Sequence, residues 1–574
     1  VPTVRSGDDL VPERPVRPPG VTDTPFVGWI NNRLRRFLAQ AKTGRVKARG
    51  FFVSLKMSSR GFPALGKERE RESYEDHYRL ICEPEPVNTP AEALEEIRAT
   101  SHDLFLVDRE EELRRLMPST SACLQASRKN GGASGIFEVM KLPPYNPKDN
   151  DPILVMGEDH FEIRYTLDDV CDAYDEWRVD TFETACGRVQ PLDGETEEEL
   201  RRTLYKVRAS SVPEPSKFRM VTVGDGNLYT SLQPLQGFML ARWKRVPQST
   251  MLLDHHGLRR KVQEMADAVF EEADINFFSV DYKSATDFLP KRNSLAAFSG
   301  VHPSAPMYDF ARGSLAGGTI LYPKGSLRDD EEVVGDQRAG QLMGHPLSFP
   351  MLCCINLAAL RLAVKRWVAA GHSARDGALV LRTALVNGDD MLFRGPLSLH
   401  PFFREAATGV GFKFSIGKNL TSPDAAMINS QTFLLKDGKI SLLGFINLNL
   451  ILHVCVKKAA NESTATPEQL GAALSRMVLS CPPAACCIPR ALQEWERIWP
   501  SGFKPNWYLP LHLGGYGLDP SLAPDTVQYT KEQRLVAARF TAHPELSLFF
   551  SKGIKPVEAP PGFRREWKMI AWEG

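Results

Sequence analysis

The sequence predicts an α+β protein of about two to four subdomains. Three observations carry that prediction. An apolar, β-rich run over residues 275–280 ends on a carboxylate, Asp281. Two further apolar runs within 384–393 flank Asn387-Gly388-Asp389-Asp390, the composition of a hairpin with positive-φ turn chemistry. From Pro467 onward the pattern becomes mainly helical.

At 574 residues the chain exceeds what one hydrophobic core usually supports, and 43% hydrophobic with 25% charged residues is an ordinary globular composition. A net charge of +1 leaves room for a nucleic-acid partner, because acidic exterior helices can balance a basic channel. The ten cysteines show no regular framework and no zinc-type Cys-x-x-Cys pair, which makes a reducing compartment the default. Cys481, Cys486 and Cys487 come nearest to a cluster. Residues 1–20 mix prolines with charges, lack the apolar stretch of a signal peptide and read as disordered. The longest apolar run, 347–364, is interrupted by Asn356 and Arg361 and contains Pro350, which fits a buried helix better than a membrane span. Nothing requires a membrane.

Residues 26–41 have helical spacing and carry Arg33, Arg35 and Arg36, either a solvated face or a nucleic-acid contact. Pro84, Pro86 and Pro90 mark a connector and a soft boundary near residue 90. Residues 91–100, 102–116 and 165–182 read as amphipathic helices, and 142–152 as a loop. Thr196-Glu197-Glu198-Glu199 is a capping-box pattern that opens a helix running to about Val207. After Pro213 and Pro215, Lys217 and Arg219 alternate with apolar residues on a short strand. Both cations then project to one side, as a solvated edge or as a clamp for a triphosphate. Helical patterns follow over 233–245 and 252–272.

Asp287 lies six residues beyond Asp281, across a turn of small residues, where it either caps the next helix or touches a substrate. Residues 293–339, with several prolines and glycines and an acidic run, read as an insertion of loops and short elements. A glycine loop, Gly340-Gln341-Leu342-Met343-Gly344-His345-Pro346-Leu347-Ser348, leads into the long apolar helix that holds Asn356. Asn356 reads as a buried, hydrogen-bonded side chain or as a functional one. Lys413 and Lys418 follow the hairpin, and 433–435, 439–443 and 445–450 are strand-like, with Lys436-Asp437-Gly438 as a turn.

Gly-Asp-Asp alone proves little, since Gly7-Asp8-Asp9 repeats it with no flanking strands. The order of the pieces is the stronger signal: basic strand, two spaced aspartates, glycine loop on a helix, Gly-Asp-Asp hairpin, lysine. Carboxylates from two strands, Asp281 and Asp389, can share two divalent cations that activate an attacking hydroxyl and stabilise a leaving pyrophosphate. That chemistry is nucleotidyl transfer.

On these residues the chain resembles viral RNA-dependent RNA polymerases. Residues 280–287 look like motif A of that family, 340–356 like motif B, 386–390 like motif C and 214–222 like motif F. The wording Glu-Pro-x-Lys-x-Arg, Met-Gly-x-Pro-Leu-Ser-Phe-Pro and Leu-Gly-Gly-x-Gly-Leu is most like that of the narnavirus and ourmia-like (botourmiavirus) group. The resemblance runs over roughly residues 200–520; the first 190 residues match no motif.

The resemblance implies a right-hand fold, with fingers, a palm built on an antiparallel sheet, and a helical thumb. It places an N-terminal extension over 1–90, the fingers over 91–273 with an insertion at about 288–338, the palm over 274–445 and the thumb over 446–574. Asp281 and Asp389 would bind two Mg²⁺ ions, with Mn²⁺ as an alternative, and Asp390 would assist. Asp287 would sense the ribose hydroxyls together with Ser348 and Asn356, although Ser348 and Asn356 are eight residues apart, wider than in many positive-strand polymerases. Lys217 and Arg219 would hold the triphosphate, Gly344 would let the loop flex, and Lys418, in competition with Lys413, would protonate pyrophosphate. The implied partners are RNA template and product and ribonucleoside triphosphates, for copying a viral positive-strand genome in the host cytoplasm, with the mitochondrion as the alternative. A reverse transcriptase usually reads Tyr-x-Asp-Asp at motif C, which Asn387-Gly388 disfavours. A catalytically silent RNA-binding subunit would not need the intact carboxylate set, and a two-metal nuclease would not need Lys217 and Arg219.

Overall fold

The computed structural model describes residues 28–43, 45–58, 65–85, 87–106, 118–137, 153–156, 162–165, 176, 179–214, 217–305, 307–415, 419–452, 467–497, 507–508, 517–522 and the single positions 531, 534, 535 and 538. The proline-rich start, the loop at 142–152 and Lys418 lie outside the described residues.

Among the described residues thirteen strands are numbered in chain order. A short hairpin comes first, β1 (Ile153–Met156) with β2 (Glu162–Tyr165), so Tyr165 ends a strand where a helix was expected to begin. Strands β3 (Val207–Glu214) and β4 (Lys217–Val223) form a hairpin in a four-stranded sheet completed by β6 (Thr319–Tyr322) and β7 (Val333–Asp336), in the order β4-β3-β6-β7. The expected insertion therefore supplies two strands of this sheet. One face is covered by the helix Lys67–Cys82, whose Tyr74, Ile81 and Cys82 pack with Val207, Ala209, Ile320 and Tyr322. That helix precedes the connector near residue 90, so the N-terminal segment packs on the sheet instead of standing apart from it.

The second four-stranded sheet is antiparallel throughout: β5 (Ile275–Val280), β8 (Leu385–Asn387), β9 (Asp390–Pro396) and β10 (Leu420–Ser422), in the order β10-β5-β9-β8. Its strands send apolar side chains to both sides because both faces are covered. Phe278, Val280, Met391 and Phe393 face the long helix Ser348–Ala369, while Phe277, Leu385 and Leu392 face the helix His255–Asp267. The Phe278 and Phe393 rings stack with centroids 4.8 Å apart.

The helix Ser348–Ala369 has the length and composition of a membrane span, yet 83% of its most apolar window is buried within the protein, so it serves as the core helix. It packs on the helices Ala91–Phe105 and Leu399–Gly409. Glu96, only 4% exposed, receives Arg361 at 3.1 Å and Lys365 from the core helix. Ala91–Phe105 is one continuous helix ending at Phe105, with no second start at 102.

A three-stranded antiparallel sheet, β11 (Ala425–Ile428), β12 (Gln431–Lys436) and β13 (Lys439–Leu443), has tight two-residue turns at Asn429-Ser430 and Asp437-Gly438, all four at positive φ. The helix Val46–Ser58 reaches it from the start of the chain, with Gly28–Lys42 packed on that helix: Arg49 pairs with Asp424 at 2.9 Å, and Val53 packs beside Leu434 and Leu443. Among the described residues after β13 are the helices Leu448–Leu452, Pro467–Ser480 and Ile488–Glu496, packed around Leu474, Ile488, Ala491 and Trp507. The strand expected at 445–450 is absent; the helix Leu448–Leu452 takes its place.

Candidate active site

The central sheet decides where the carboxylates go. Val280 pairs with Met391, and Asn387 with Asp390 across the β8–β9 turn, so Asp281, just past the end of β5, adjoins Asp390 at the same end of the sheet. Asp389 occupies the turn itself and is exposed. The turn residues are Gly388 and Asp389, with Gly388 alone at positive φ (+67°), and not the Asn387-Gly388 pair expected from the sequence. The Asp281 backbone N–H donates to Asn419 Oδ1 at 2.9 Å and its carbonyl accepts from Ser415 N–H at 2.9 Å, which fixes the strand end against the segment leading into β10.

The turn is held from beneath. Gly388 N–H donates to Cys353 Sγ at 3.3 Å, and Gly388 O accepts from Asn356 Nδ2 at 2.9 Å. Asn356 Oδ1 in turn accepts from the Tyr282 hydroxyl at 3.0 Å. Asn356 is thus fully buried in the core helix and joined to residues beside Asp281 and Asp389.

Asp287 sits where motif A meets the glycine loop. Its N–H donates to Ser284 O at 2.9 Å and it accepts the Thr286 hydroxyl at 3.0 Å. Burial pushes its carboxyl up to about 6, with the hydroxyls of Thr286 and Ser284 pulling the other way. Gly340 N–H and Gln341 N–H donate to Leu289 O (2.7 Å) and Thr286 O (2.8 Å), so the loop begins as an extension of the Asp287 turn. Ser348, at the start of the core helix, is buried and donates to Gln341 Oε1 at 3.2 Å. His345 is kept neutral, burial lowering it to about 4; its Nδ1 accepts from Leu347 N–H, which leaves Nε2 as the donor to Ser314 Oγ at 2.8 Å.

At its far end the loop is fastened to β4. Met343 O accepts both Thr222 N–H (2.6 Å) and the Thr222 hydroxyl (3.1 Å). Gly344 makes this possible: it has φ +122°, and a Cβ there would lie 2.2 Å from Thr222 O. Strand β4 carries Lys217 and Arg219 on one face, as their alternation predicts. Both pair with Glu214 on β3, Arg219 Nε at 2.8 Å and Lys217 Nζ at 3.5 Å, while staying 45% and 56% exposed. The Glu214 partnership escaped the sequence reading, although the directly opposed register of Glu214 and Lys217 follows from a two-residue hairpin. Lys413 Nζ lies 4.0 Å from the centre of the Phe288 ring, adjacent to Asp287.

Among the described residues, no three acidic, His or Cys side chains form a ready-made metal cage. The donor set at the sheet end is nonetheless all hard carboxylate oxygen, the kind Mg²⁺ takes when one or two carboxylates and substrate phosphates complete its shell. Asp281, Asp389 and Asp390 are the residues that would hold it.

This architecture, an antiparallel sheet with an aspartate-bearing turn backed by a core helix and joined to a second sheet carrying a basic strand, is the right-hand polymerase fold. The crystal structure of the RNA-dependent RNA polymerase of a human picorbirnavirus has it, matching with a TM-score of 0.50 over 80% of this chain and 82% of that one at 9% identity. In sequence, the chain is similar to two viral polymerases. The RNA-dependent RNA polymerase of Ourmia melon virus (isolate Melon/Iran/VE9) is 33% identical over 293 residues, 46% of this chain and 33% of that protein. The RNA-directed RNA polymerase of Saccharomyces 23S RNA narnavirus is 27% identical over 248 residues, 41% of this chain and 25% of that protein. The chain therefore spans a third or less of the length of these curated relatives. No protein-family model matches it.

Proposed function

We propose that the chain is an RNA-directed RNA polymerase that copies a viral positive-strand RNA genome by two-metal nucleotidyl transfer, with RNA template and product and ribonucleoside triphosphates as its partners and the host cytoplasm as its setting. The observation that carries this reading is the gathering of Asp281, Asp389 and Asp390 at one end of the central sheet by strand register. On this reading residues 91–273 with the insertion at 288–338 are the fingers, 274–445 the palm, 446–574 the thumb, and 1–90 an extension, of which the helix Val46–Ser58 packs on the three-stranded sheet and the helix Lys67–Cys82 on the β4-β3-β6-β7 sheet.

Bound divalent cations, Mg²⁺ or Mn²⁺, would activate the attacking hydroxyl and offset charge on the departing pyrophosphate. Asp281 and Asp389 hold their carboxylates toward that position from two separate strands, and Asp390 supports them. Lys217 and Arg219 meet the triphosphate with charge-assisted hydrogen bonds, exchanging Glu214 for phosphate oxygens. Asp287 faces the ribose, with Ser348 acting through Gln341. Gly344 lets the loop pivot against Thr222. Lys418 is the proposed proton donor to pyrophosphate, with Lys413 as its competitor.

The test incubates the purified chain with an RNA template, Mg²⁺ and labelled ribonucleotides beside Asp389→Ala. Template-dependent incorporation lost in the variant supports the reading. Equal incorporation by both proteins, none by either, or use of deoxynucleotides alone overturns it, the second outcome favouring a silent RNA-binding subunit and the third a reverse transcriptase.

A further inference from the structure

We infer that Tyr282, Asn356 and Cys353 are positioning residues that set the spacing between the Asp281 strand end and the Asp389 turn; this rests on the polymerase reading above. Tyr282 follows Asp281 and Gly388 precedes Asp389. Between them runs an unbroken chain of hydrogen bonds: Tyr282 hydroxyl to Asn356 Oδ1 (3.0 Å), Asn356 Nδ2 to Gly388 O (2.9 Å), and Gly388 N–H to Cys353 Sγ (3.3 Å). The directions are fixed by chemistry. A carbonyl can only accept, so the amide nitrogen of Asn356 must face Gly388, its oxygen faces Tyr282, and the tyrosine must donate.

All three side chains are buried. Cys353 and Asn356 lie three residues apart on one face of the core helix, so both grip the same turn, one from its N–H and one from its C=O. The Tyr282 ring is itself clamped, stacked on Phe412 with centroids 4.2 Å apart and planes 9° from parallel. Packing alone would be served by apolar side chains. A buried polar chain is sustained only where its groups are satisfied, and what it adds is a fixed geometry. Here that geometry joins the two backbone points from which Asp281 and Asp389 project. Carboxylates that share two cations about 4 Å apart tolerate little error in spacing, and a 1 Å misplacement can cost about a hundredfold in rate.

The experiment compares wild type, Tyr282→Phe, Cys353→Ala and Cys354→Ala as full-length chains. Cys354 is a buried thiol on the same helix that faces Ile97 O at 3.9 Å, outside the bridge, so its truncation controls for lost volume. Two readouts are taken: kcat and KM for ribonucleotide, and Mn²⁺ binding to the protein without nucleotide or RNA, followed by electron paramagnetic resonance. Tyr282→Phe and Cys353→Ala are expected to lower kcat about tenfold and to weaken Mn²⁺ binding, with nucleotide KM within about twofold of wild type. Cys354→Ala should match wild type in both, whatever its melting temperature. Bridge variants that behave as Cys354→Ala in kcat and Mn²⁺ affinity overturn the inference. If Tyr282→Phe melts below the assay temperature, Cys353→Ala decides alone. A wild-type chain that makes no RNA would defeat the polymerase reading, while the Mn²⁺ comparison would still judge the bridge.

Discussion

Replacing Asp287 by Asn removes an ionisable group while keeping the side-chain shape and the oxygen that accepts the Thr286 hydroxyl. Burial moves this carboxyl from the ordinary value of 3.8 up to about 6, so in the folded chain the ionised form is disfavoured against the neutral one by about 3 kcal/mol. The folded-state value lies above the unfolded one. The wild-type chain therefore gains stability as pH falls through about 6 toward 3.8, and loses it as pH rises through the same window. Asp287→Asn should be more stable than wild type by up to about 3 kcal/mol at pH 8, and that advantage should shrink by about 1.4 kcal/mol at pH 5. Equilibrium urea unfolding at both pH values, followed by tryptophan fluorescence, measures it. An advantage that does not change between the two pH values, or a variant less stable than wild type at pH 8, would refute burial as the cause. On the polymerase reading the same variant should discriminate less between ribo- and deoxyribonucleotides, because the group proposed to face the ribose is the one whose charge burdens the fold.

Two further substitutions test how the loop and the core helix are held. Gly344→Ala forces a side chain into a positive-φ position with its Cβ 2.2 Å from Thr222 O. Relief must come at the Met343–Thr222 bonds, so strain of about 1–3 kcal/mol should lower kcat/KM by about 5- to 150-fold through a raised nucleotide KM, measured by steady-state incorporation. An unchanged KM would count against a loop that registers β4. Glu96→Ala leaves Arg361 with Asp103 as its remaining partner and returns the exposed Lys365 to solvent, so it should cost about 1–2 kcal/mol, seen as a fall of a few degrees in melting temperature with nucleotide KM unaltered.

What the sequence made legible was local. Apolar alternation located β5, β12 and β13, the capping box at Thr196 is present with both of its bonds, and Asp-Gly marked the β12–β13 turn. The same local signals misplaced elements wherever a distant partner decides. Residues 445–450 alternate like a strand, but the outer edge of β13 is taken by Arg259 and Gln263, which bond the C=O and N–H of Ile440, and the chain winds instead into the helix Leu448–Leu452 beside Trp507 and Leu474. The helix Lys67–Cys82 looks like a charged connector because most of its surface is solvated. Its few apolar residues find a sheet whose strands begin more than a hundred residues later. Asn356 shows the limit at the candidate site. Its spacing from Ser348 says nothing of the register on the core helix that joins it to Tyr282 and Gly388, which only the assembled fold reveals.

The polar interruptions of the apolar run 347–364 carry more information than the run itself. An uninterrupted segment of that length would fit a bilayer as well as a protein interior. Asn356 and Arg361 argued for the interior, and each has a buried partner there: Gly388 and Tyr282 for Asn356, Glu96 for Arg361. Each partner belongs to a different part of the chain, so the helix fixes the aspartate turn on one side and the N-terminal helix Ala91–Phe105 on another. Apolar contacts alone specify the register of so uniformly apolar a helix less sharply than hydrogen bonds do, since hydrophobic cores tolerate volume-conserving repacking. A one-residue slip here would break every one of these bonds at once and leave a buried carboxylate and a buried amide unpaired. The polar residues of the helix thus fix its register, and through Gly388 that register sets where Asp389 stands.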